Sequence, residues 1–306
     1  MFTEAQNFAI VQTELDSVFY QNWDGESFPG YATAETGAIF KPLNTDHAAY
    51  IEEIFKGSGL FPSIGETSTV PLSTPKVTNK ITTYIKDYAN SIELSKNLFD
   101  DNMHGVYSRM IADFAMVARK TQEDNAFAFF RGAFTTSLTA DGSAFIASRT
   151  LINGQTLTNV ISGALTPDTL NDAVVALAQM KNQAGVIMGS IPAVLLVPPK
   201  LFKHAREITD SALIADSGNN NINVYRSAFG FEVWTSPYLS AAAGGSDTAW
   251  FLLGKNHSVT RLIRQGIQTA LRDWTYSNNR TYLYQANFRE TVYAPDYVGA
   301  VGSTGL

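Results

Sequence analysis

The chain contains no cysteine. Disulfide staples and thiolate metal sites are excluded, and a reducing compartment poses no difficulty. Charge is scarce as well: Asp, Glu, Lys and Arg make up 16% of 306 residues, against roughly a quarter in an average soluble domain. A surface so poor in charge is either covered by Thr, Ser, Asn and Gln or buried against other molecules. Bases are the rarer sign, 22 Lys and Arg against 28 Asp and Glu, for a net charge of −6. Tight wrapping of nucleic acid needs the opposite balance, because phosphate neutralisation consumes cations. The histidines are few and scattered (His47, His104, His204, His257). None has a partner or acid at ligand spacing, so no metal site is expected. Apolar runs are short. Ala193 to Val197 is enclosed by Pro192 and Pro198, far below the ~20 residues of a membrane span, and the acidic N-terminus lacks the apolar stretch of a signal peptide. No Gly-x-Ser-x-Gly elbow, P-loop or Gly-x-Gly-x-x-Gly occurs. A hydrolase or nucleotide-dependent enzyme is therefore disfavoured, and no catalytic, cofactor-binding or metal-binding residue is expected.

What is present is enough for a core. Hydrophobic residues reach 45%, so wholesale disorder is excluded. The length suits two lobes, or one domain with long extensions. Charge is unevenly placed: residues 1–60 hold nine acids against Lys41 and Lys56, whereas Lys255, Arg261, Arg264, Arg272, Arg280 and Arg289 face only Asp273 and Glu290 between residues 254 and 293. The two ends can pair within one subunit or between copies, or the acidic flank is simply solvated.

Along the chain, Phe8, Val11, Leu15, Val18 and Phe19 predict a helix over residues 2–20. Residues 21–48 lose periodicity and read as an extended arm, followed by a short helix from Thr45 to Phe55 with Ala48, Ile51 and Phe55 on one side. From Lys76 to Lys86 the residues alternate: Lys76, Thr78, Lys80, Thr82, Tyr84 and Lys86 point one way, Val77, Asn79, Ile81, Thr83 and Ile85 the other. A second short strand covers Ala89 to Ser95. The polar face suits a solvated ribbon or one lying across another surface, and edge lysines discourage uncontrolled pairing. Then comes a long amphipathic helix. Asp100 or Asp101 caps it, and Met103, Val106, Tyr107, Met110, Phe114, Val117 and Ala118 recur at helical spacing, opposite Arg109, Asp113, Lys120, Glu123 and Asp124. Over residues 101–131 it spans on the order of 45 Å.

Residues 134–163 read as loop with short strands. Thr166-Pro167-Asp168 starts a helix with the stripe Leu170, Val174, Leu177 and Met180, ending at Gly185. Ala193–Val197 is a buried strand and Pro199 opens another helix, giving a compact α/β lobe. After a polar break at residues 217–223, strands follow near Gly230–Thr235, Ala249–Leu253 and Tyr282–Arg289. Arg272, Trp274, Tyr276, Arg280, Tyr282 and Tyr284 have the composition of a stacking surface for single-stranded nucleic acid, though aromatics at period two more often belong to sheet core. Lys76, Lys80 and Lys86 are candidates for a covalent link to a neighbour, which needs a desolvated Asn or acid partner; solvated lysine is the default.

The ordered set of arm, ribbon, spine helix, α/β lobe and returning strands resembles the major capsid protein of tailed phages (Caudoviricetes), an α+β architecture known as the HK97-like fold. The local wording resembles the Mu-type head subunit in Asn90-Ser-Ile-Glu-Leu-Ser-Lys-Asn-Leu-Phe-Asp-Asp-Asn-Met-His-Gly-Val-Tyr107. It does so again in Asp141-Gly-Ser-Ala-Phe, Ile191-Pro-Ala-Val-Leu-Leu-Val-Pro-Pro, Gly230-Phe-Glu-Val-Trp-Thr-Ser-Pro-Tyr-Leu, Trp250-Phe-Leu-Leu-Gly and Asn287-Phe-Arg-Glu-Thr-Val-Tyr-Ala-Pro-Asp-Tyr.

The resemblance implies an N-terminal arm (1–65), an E-loop ribbon (66–97), a P-domain with the spine (98–165), an A-domain (166–256) and returning P-domain strands (257–306). It implies a virion protein and not an enzyme, built into hexamers and pentamers of an icosahedral head around double-stranded DNA, with only weak non-specific contact to that DNA and none to a membrane. Assembly would take place in the host cytoplasm. Scaffolding, portal and decoration proteins are the implied partners. The family's N-terminal scaffolding extension is missing from this sequence, which implies a separate scaffolding protein or a removed propeptide. Lys76, Lys80, Tyr84, Lys86, Arg109, Lys120, Arg261, Arg264 and Arg272 are the expected inter-subunit contacts. A nanocompartment shell of the encapsulin type, enclosing protein cargo, is the alternative on the same architecture.

Overall fold

The computed structural model describes residues 4–23, 30–55, 57, 59–66, 69–72, 77–97, 104–211, 225, 230, 232–272 and 281–306. Lys76, the Asp100/Asp101 cap, Met103, the break at 217–223, Trp274, Tyr276 and Arg280 lie outside the described residues.

A four-stranded sheet forms the first body, in the order β1 (Lys41–Asn44), β11 (Thr260–Arg272), β12 (Thr281–Tyr293), β4 (Lys86–Ser95). Two helices cover one face: α1 (Glu4–Trp23) and the spine α2 (His104–Arg131), 28 residues and about 42 Å long. Alternation along β12 turns Tyr284, Ala286 and Phe288 inward; Tyr284 and Ala286 meet Leu15 and Phe19 of α1 and Tyr107, Ile111 and Phe114 of the spine, while Phe288 stacks on Tyr88 of β4. Tyr284 is thus core, as ordinary period-two aromatics are, and not a stacking platform.

The second body is a five-stranded sheet in the order β7 (Val160–Ile161), β13 (Ala300–Ser303), β10 (Trp250–Gly254), β8 (Pro192–Val197), β9 (Glu232–Thr235). Helices α3 (Pro167–Ala178) and α4 (Pro199–Asp210) pack on it through Leu170, Leu177, Ala205 and Ile208. Thr166 caps α3 as the sequence predicts: its hydroxyl accepts from the Thr169 amide while the Thr169 hydroxyl accepts from the Thr166 amide. The helix ends at Ala178, before Gly185, because Met180 turns into the core and Lys181 bridges back to Ile187. An aromatic cluster of Phe40, Phe127, Phe130, Phe145 and Phe251 joins the two bodies. A hairpin of β5 (Ser148–Thr150) and β6 (Thr156–Thr158) lies beside them.

Three expectations need correcting. Residues 45–55 do not form a helix: β2 (Ala49–Phe55) pairs antiparallel with β3 (Val77–Tyr84). Ile51 and Phe55 are four apart, a spacing that serves one face of a strand as well as one face of a helix. The β-branched and aromatic content, with Glu53 opposite Lys80, decides for the strand. The ribbon therefore begins upstream of residue 66. Secondly, the leading segment is not loose. Ala32, Ala34, Ile39 and Phe40 are buried in the chain's own core, the Ala32 and Thr235 amides donate to Thr235 O and Gly30 O, and β1 runs parallel to β11. Thirdly, the inward stripe of the spine is Tyr107, Ile111, Phe114, Ala115, Gln122 and Ala126. Val106, Met110 and Val117 face outward.

Candidate assembly surface

The ribbon grows from the sheet by simple continuation. β4 pairs with β12 from Lys86 opposite Glu290 to Ser95 opposite Thr281. At Ile85 the chain leaves that sheet, the Ile85 amide donates to Ala48 O, and β3 pairs with β2 alone. From Asn79 to Tyr84 the expected alternation holds, with Lys80, Thr82 and Tyr84 exposed and Asn79, Ile81 and Thr83 half-buried, whereas Val77, expected with the inner set, is exposed. The base of the ribbon leans on its own body, for the Tyr293 hydroxyl donates to Glu52 Oε2 at 2.5 Å and the Tyr50 and Tyr293 rings lie 6.1 Å apart. Burial, with the Glu52 hydrogen bond and charge, pushes the Tyr293 phenol up. Further out, Gly57 approaches Asn182. Beyond it the described tip residues are all exposed, with Phe61 and Leu72 at 92% and Leu60 at 82%. Apolar groups left in water to that extent are characteristic of contact surfaces.

The spine supplies a second exposed region. Val106, Met110, Met116 and Val117 sit in solvent beside Arg109 and Lys120. Between the spine and the sheet runs an open groove of about 200 Å³, walled by Tyr88, Ala89, Val117, Ala118, Ile267 and Phe288. Tyr88 stacks on Phe288 at 5.0 Å and donates to Asn125 Oδ1 at 2.5 Å. Burial, then the charges of Glu290 and Asp124, raises its phenol. Apart from that tyrosine the groove walls carry no titratable group, and among the described residues no group of three or more His, Cys, Asp or Glu is placed to hold a metal. Among the described residues, likewise, no helix is long and apolar enough to cross a membrane.

Of the residues picked from sequence as contacts, Lys80, Tyr84 and Lys86 stand exposed on the ribbon, Arg109 and Lys120 on the spine, and Arg272 at the end of β11, while Arg264 is half-buried. Arg261 belongs elsewhere. It is buried, donates through Nε (2.9 Å) and Nη2 (2.6 Å) to Glu290 Oε2, and through Nη1 to Ala34 O at 3.2 Å. Gln122 of the spine donates to the same oxygen at 3.0 Å. The group ties sheet, spine and leading segment together inside one chain, so Arg261 is not a surface contact. The Asp141-Gly142 loop is also internal. Asp141 Oδ2 receives Arg149 Nη1 at 2.8 Å, Arg149 Nη2 donates to Ala144 O and Phe145 O, and the guanidinium lies over the Tyr297 ring at 4.0 Å.

The sequence reading missed β1, β11 and β13, the burial of Ala32, Ala34, Ile39 and Phe40, and the exposed tip between residues 57 and 72. Phe61 and Leu72 stood in a Gly/Pro-rich stretch with no periodicity, and that isolation was the available signal.

Comparisons agree with this geometry. A family model described as phage capsid protein matches residues 78–302. No match is found among curated proteins. Among solved structures, the mature capsid of bacteriophage PhiM1 is similar with a TM-score of 0.59 at 10% identity, covering 91% of this chain and 88% of that one. The capsid of the native GTA particle gives 0.56 at 15%, covering 91% of each. The holo-SrpI encapsulin complex from Synechococcus elongatus gives 0.51 at 11%, covering 92% of this chain and 89% of that one. At these identities the solved structures speak to the fold.

Proposed function

Because the chain belongs to the phage capsid protein family and has the HK97-like α+β fold, it is a major capsid protein, and we propose that its copies close into an icosahedral head of hexamers and pentamers around double-stranded DNA. The observation that carries this is the two-stranded ribbon, β2 with β3, whose apolar tip has no cover in its own chain among the described residues. Laid over an adjacent subunit, the ribbon loses its water-exposed apolar area, and the same small contact repeated around a closed shell multiplies by avidity.

In this reading residues 166–256 form the A-domain facing the capsomer centre. The spine and returning strands form the P-domain, and the E-loop runs from Ala49 to Ser95. The wording of 90–107 and 287–297 supports reading it as a head subunit of the Mu type. It works by assembly and not by catalysis, is built in the host cytoplasm, and ends in the virion capsid beside scaffolding, portal and decoration proteins. The net charge of −6 keeps contact with packaged DNA weak and non-specific.

Sedimentation of the purified protein under assembly conditions, with absorbance at 260 and 280 nm, tests the proposal. Megadalton particles whose native form carries nucleic-acid absorbance support it. Particles that carry protein cargo and no nucleic acid favour the nanocompartment alternative, which the similarity to an encapsulin keeps in play. A chain that stays monomeric throughout contradicts both.

A further inference from the structure

The sequence holds a single Asn-Gly pair, Asn153-Gly154, and the fold sets it at the tip of the β5–β6 hairpin. The Gly154 amide donates to Leu151 O at 2.9 Å and the Leu151 amide to Gln155 O at 2.8 Å, with Gly154 in the left-handed region at φ +82°. This is a three-residue hairpin loop with glycine where positive φ is required. Leu151 anchors the loop in the core, whereas Ile152, Asn153, Gly154 and Gln155 are exposed.

The asparagine faces a second turn, closed by the bridge of Lys181 to Ile187 and by the Gly185 amide donating to Asn182 O. Asn153 Nδ2 donates to Ala184 O at 3.5 Å, and Lys181 Nζ donates to Gln155 Oε1 at 3.2 Å. The two turns pack so closely that a side chain on Gly185 would overlap the Asn153 amide.

We infer that Asn153 is a site of spontaneous deamidation, and that its conversion unties the hairpin from the 181–187 turn. The Gly154 nitrogen loses its proton to solvent base and bonds to Asn153 Cγ. The Nδ2 group leaves as ammonia, and a five-membered succinimide remains. Water then opens the ring: addition at Cγ gives aspartate at position 153, and addition at the main-chain carbonyl gives isoaspartate. The net change is amide plus water to acid plus ammonia, with nothing oxidised or reduced. Three features favour it. Gly154 has no Cβ to shield its nitrogen. Nucleophile and electrophile are on adjacent residues, so the step is unimolecular. The Gln155 amide already donates to Asn153 Oδ1 at 3.0 Å, where negative charge develops as Cγ becomes tetrahedral. The Gly154 bond to Leu151 O is the restraint to be broken, and it lies in an exposed loop.

The product fails at the contact. A carboxylate has no hydrogen to offer Ala184 O, so two acceptors face each other, and isoaspartate also lengthens the main chain within the loop. Asp141-Gly142 is the counter-example. The same ring closure is open to it in principle, but Thr139 Oγ1 (2.6 Å) and the Ser143 amide (2.9 Å) donate to Asp141 Oδ1 while Arg149 holds Oδ2 at 2.8 Å. A carboxylate fixed on both oxygens is a poor electrophile and should persist.

The test ages the unassembled protein at 37 °C, at pH 6 and pH 8.5, and reads it by peptide mass mapping with an isoaspartate-specific methyl-transfer assay. Modification at position 153 should exceed that at any other asparagine by about tenfold or more, the ratio that ~1.4 kcal/mol of barrier supplies. It should be faster at the higher pH and absent from Asn153→Gln, whose longer side chain disfavours ring closure. Hydrogen exchange over residues 182–187 should quicken in step with modification, and Asn153→Asp should show that quickening without ageing. An aged chain in which other asparagines have reacted and 153 has not, or in which isoaspartate is as abundant at 141 as at 153, overturns the site. Modification that leaves exchange over 182–187 unchanged overturns the coupling. Neither readout depends on particle formation, so failure here leaves the shell reading standing.

Discussion

Acidification should loosen the leading segment, and the lever is His257. Its ring is buried between the segment and the start of β11, with Nδ1 accepting from the Val259 amide at 3.3 Å and Nε2 therefore the protonated nitrogen, donating to Ala38 O at 3.1 Å. Lys41 Nζ donates to the His257 carbonyl from the same segment. A second proton would have to enter at Nδ1, against the Val259 N–H and close to the Lys41 charge. Burial first, then Lys41, lowers the imidazole from 6.5 to about 4. A folded-state value depressed below the unfolded one means that the stabilisation is complete above about pH 6.5 and lost as pH falls through about 4. A shift of this size corresponds to about 3 kcal/mol.

Chemical denaturation of the unassembled protein at pH 7.5, 5.5 and 4, beside His257→Gln, isolates the effect, since every other titrating group is common to the pair. The variant should be the less stable at pH 7.5. Its deficit should shrink by about 3 kcal/mol on reaching pH 4, because only the wild type carries the penalty of charging the ring. Hydrogen exchange in residues 38–44 should accelerate over the same interval. A deficit that stays constant from pH 7.5 to 4 refutes the reasoning.

Three further outcomes follow from the packing. Glu290→Ala strands the Arg261 guanidinium in the core and should cost about 3–5 kcal/mol by denaturant titration, whereas Arg261→Met with Glu290→Leu should recover most of it. Phe19→Ala removes a fully buried ring packed on Phe114 and Tyr284; it should destabilise the unassembled chain by about 3–5 kcal/mol, and a loss seen only in particles would mean that α1 docks on a neighbour instead. Thr166→Ala deletes the capping hydroxyl of α3 and should cost about 1 kcal/mol in thermal or chemical unfolding.

Much of this was legible in local pattern. The period-two alternation of residues 79–84, the hydroxyl-Pro-Asp start of α3 and the proline-bounded run at 192–198 each carry their own geometry and form as expected, although the strand expected to run on to Lys86 ends at Tyr84. The spine was legible as a helix but not in its phase. It carries two apolar stripes, Val106/Met110/Val117 and Tyr107/Ile111/Phe114, and which one faces the sheet is settled by Phe19 and Tyr284 from distant segments. Ala32, Ala34, Ile39 and Phe40 show no periodicity because they are buried by tertiary contacts along an irregular path. Arg261 looked like a surface base until Glu290, 29 residues on, and Gln122 were brought to it by strand pairing and the spine. The contact surface was the least readable part, since exposed and buried apolar residues are identical in sequence.

The most direct test of the central claim is a cryo-electron microscopy reconstruction of particles assembled from the purified chain. The account predicts a closed shell of hexamers and pentamers in which each β2–β3 ribbon crosses onto the neighbouring subunit. A shell in which every ribbon folds onto its own subunit, or a preparation containing only dispersed single chains, would contradict it.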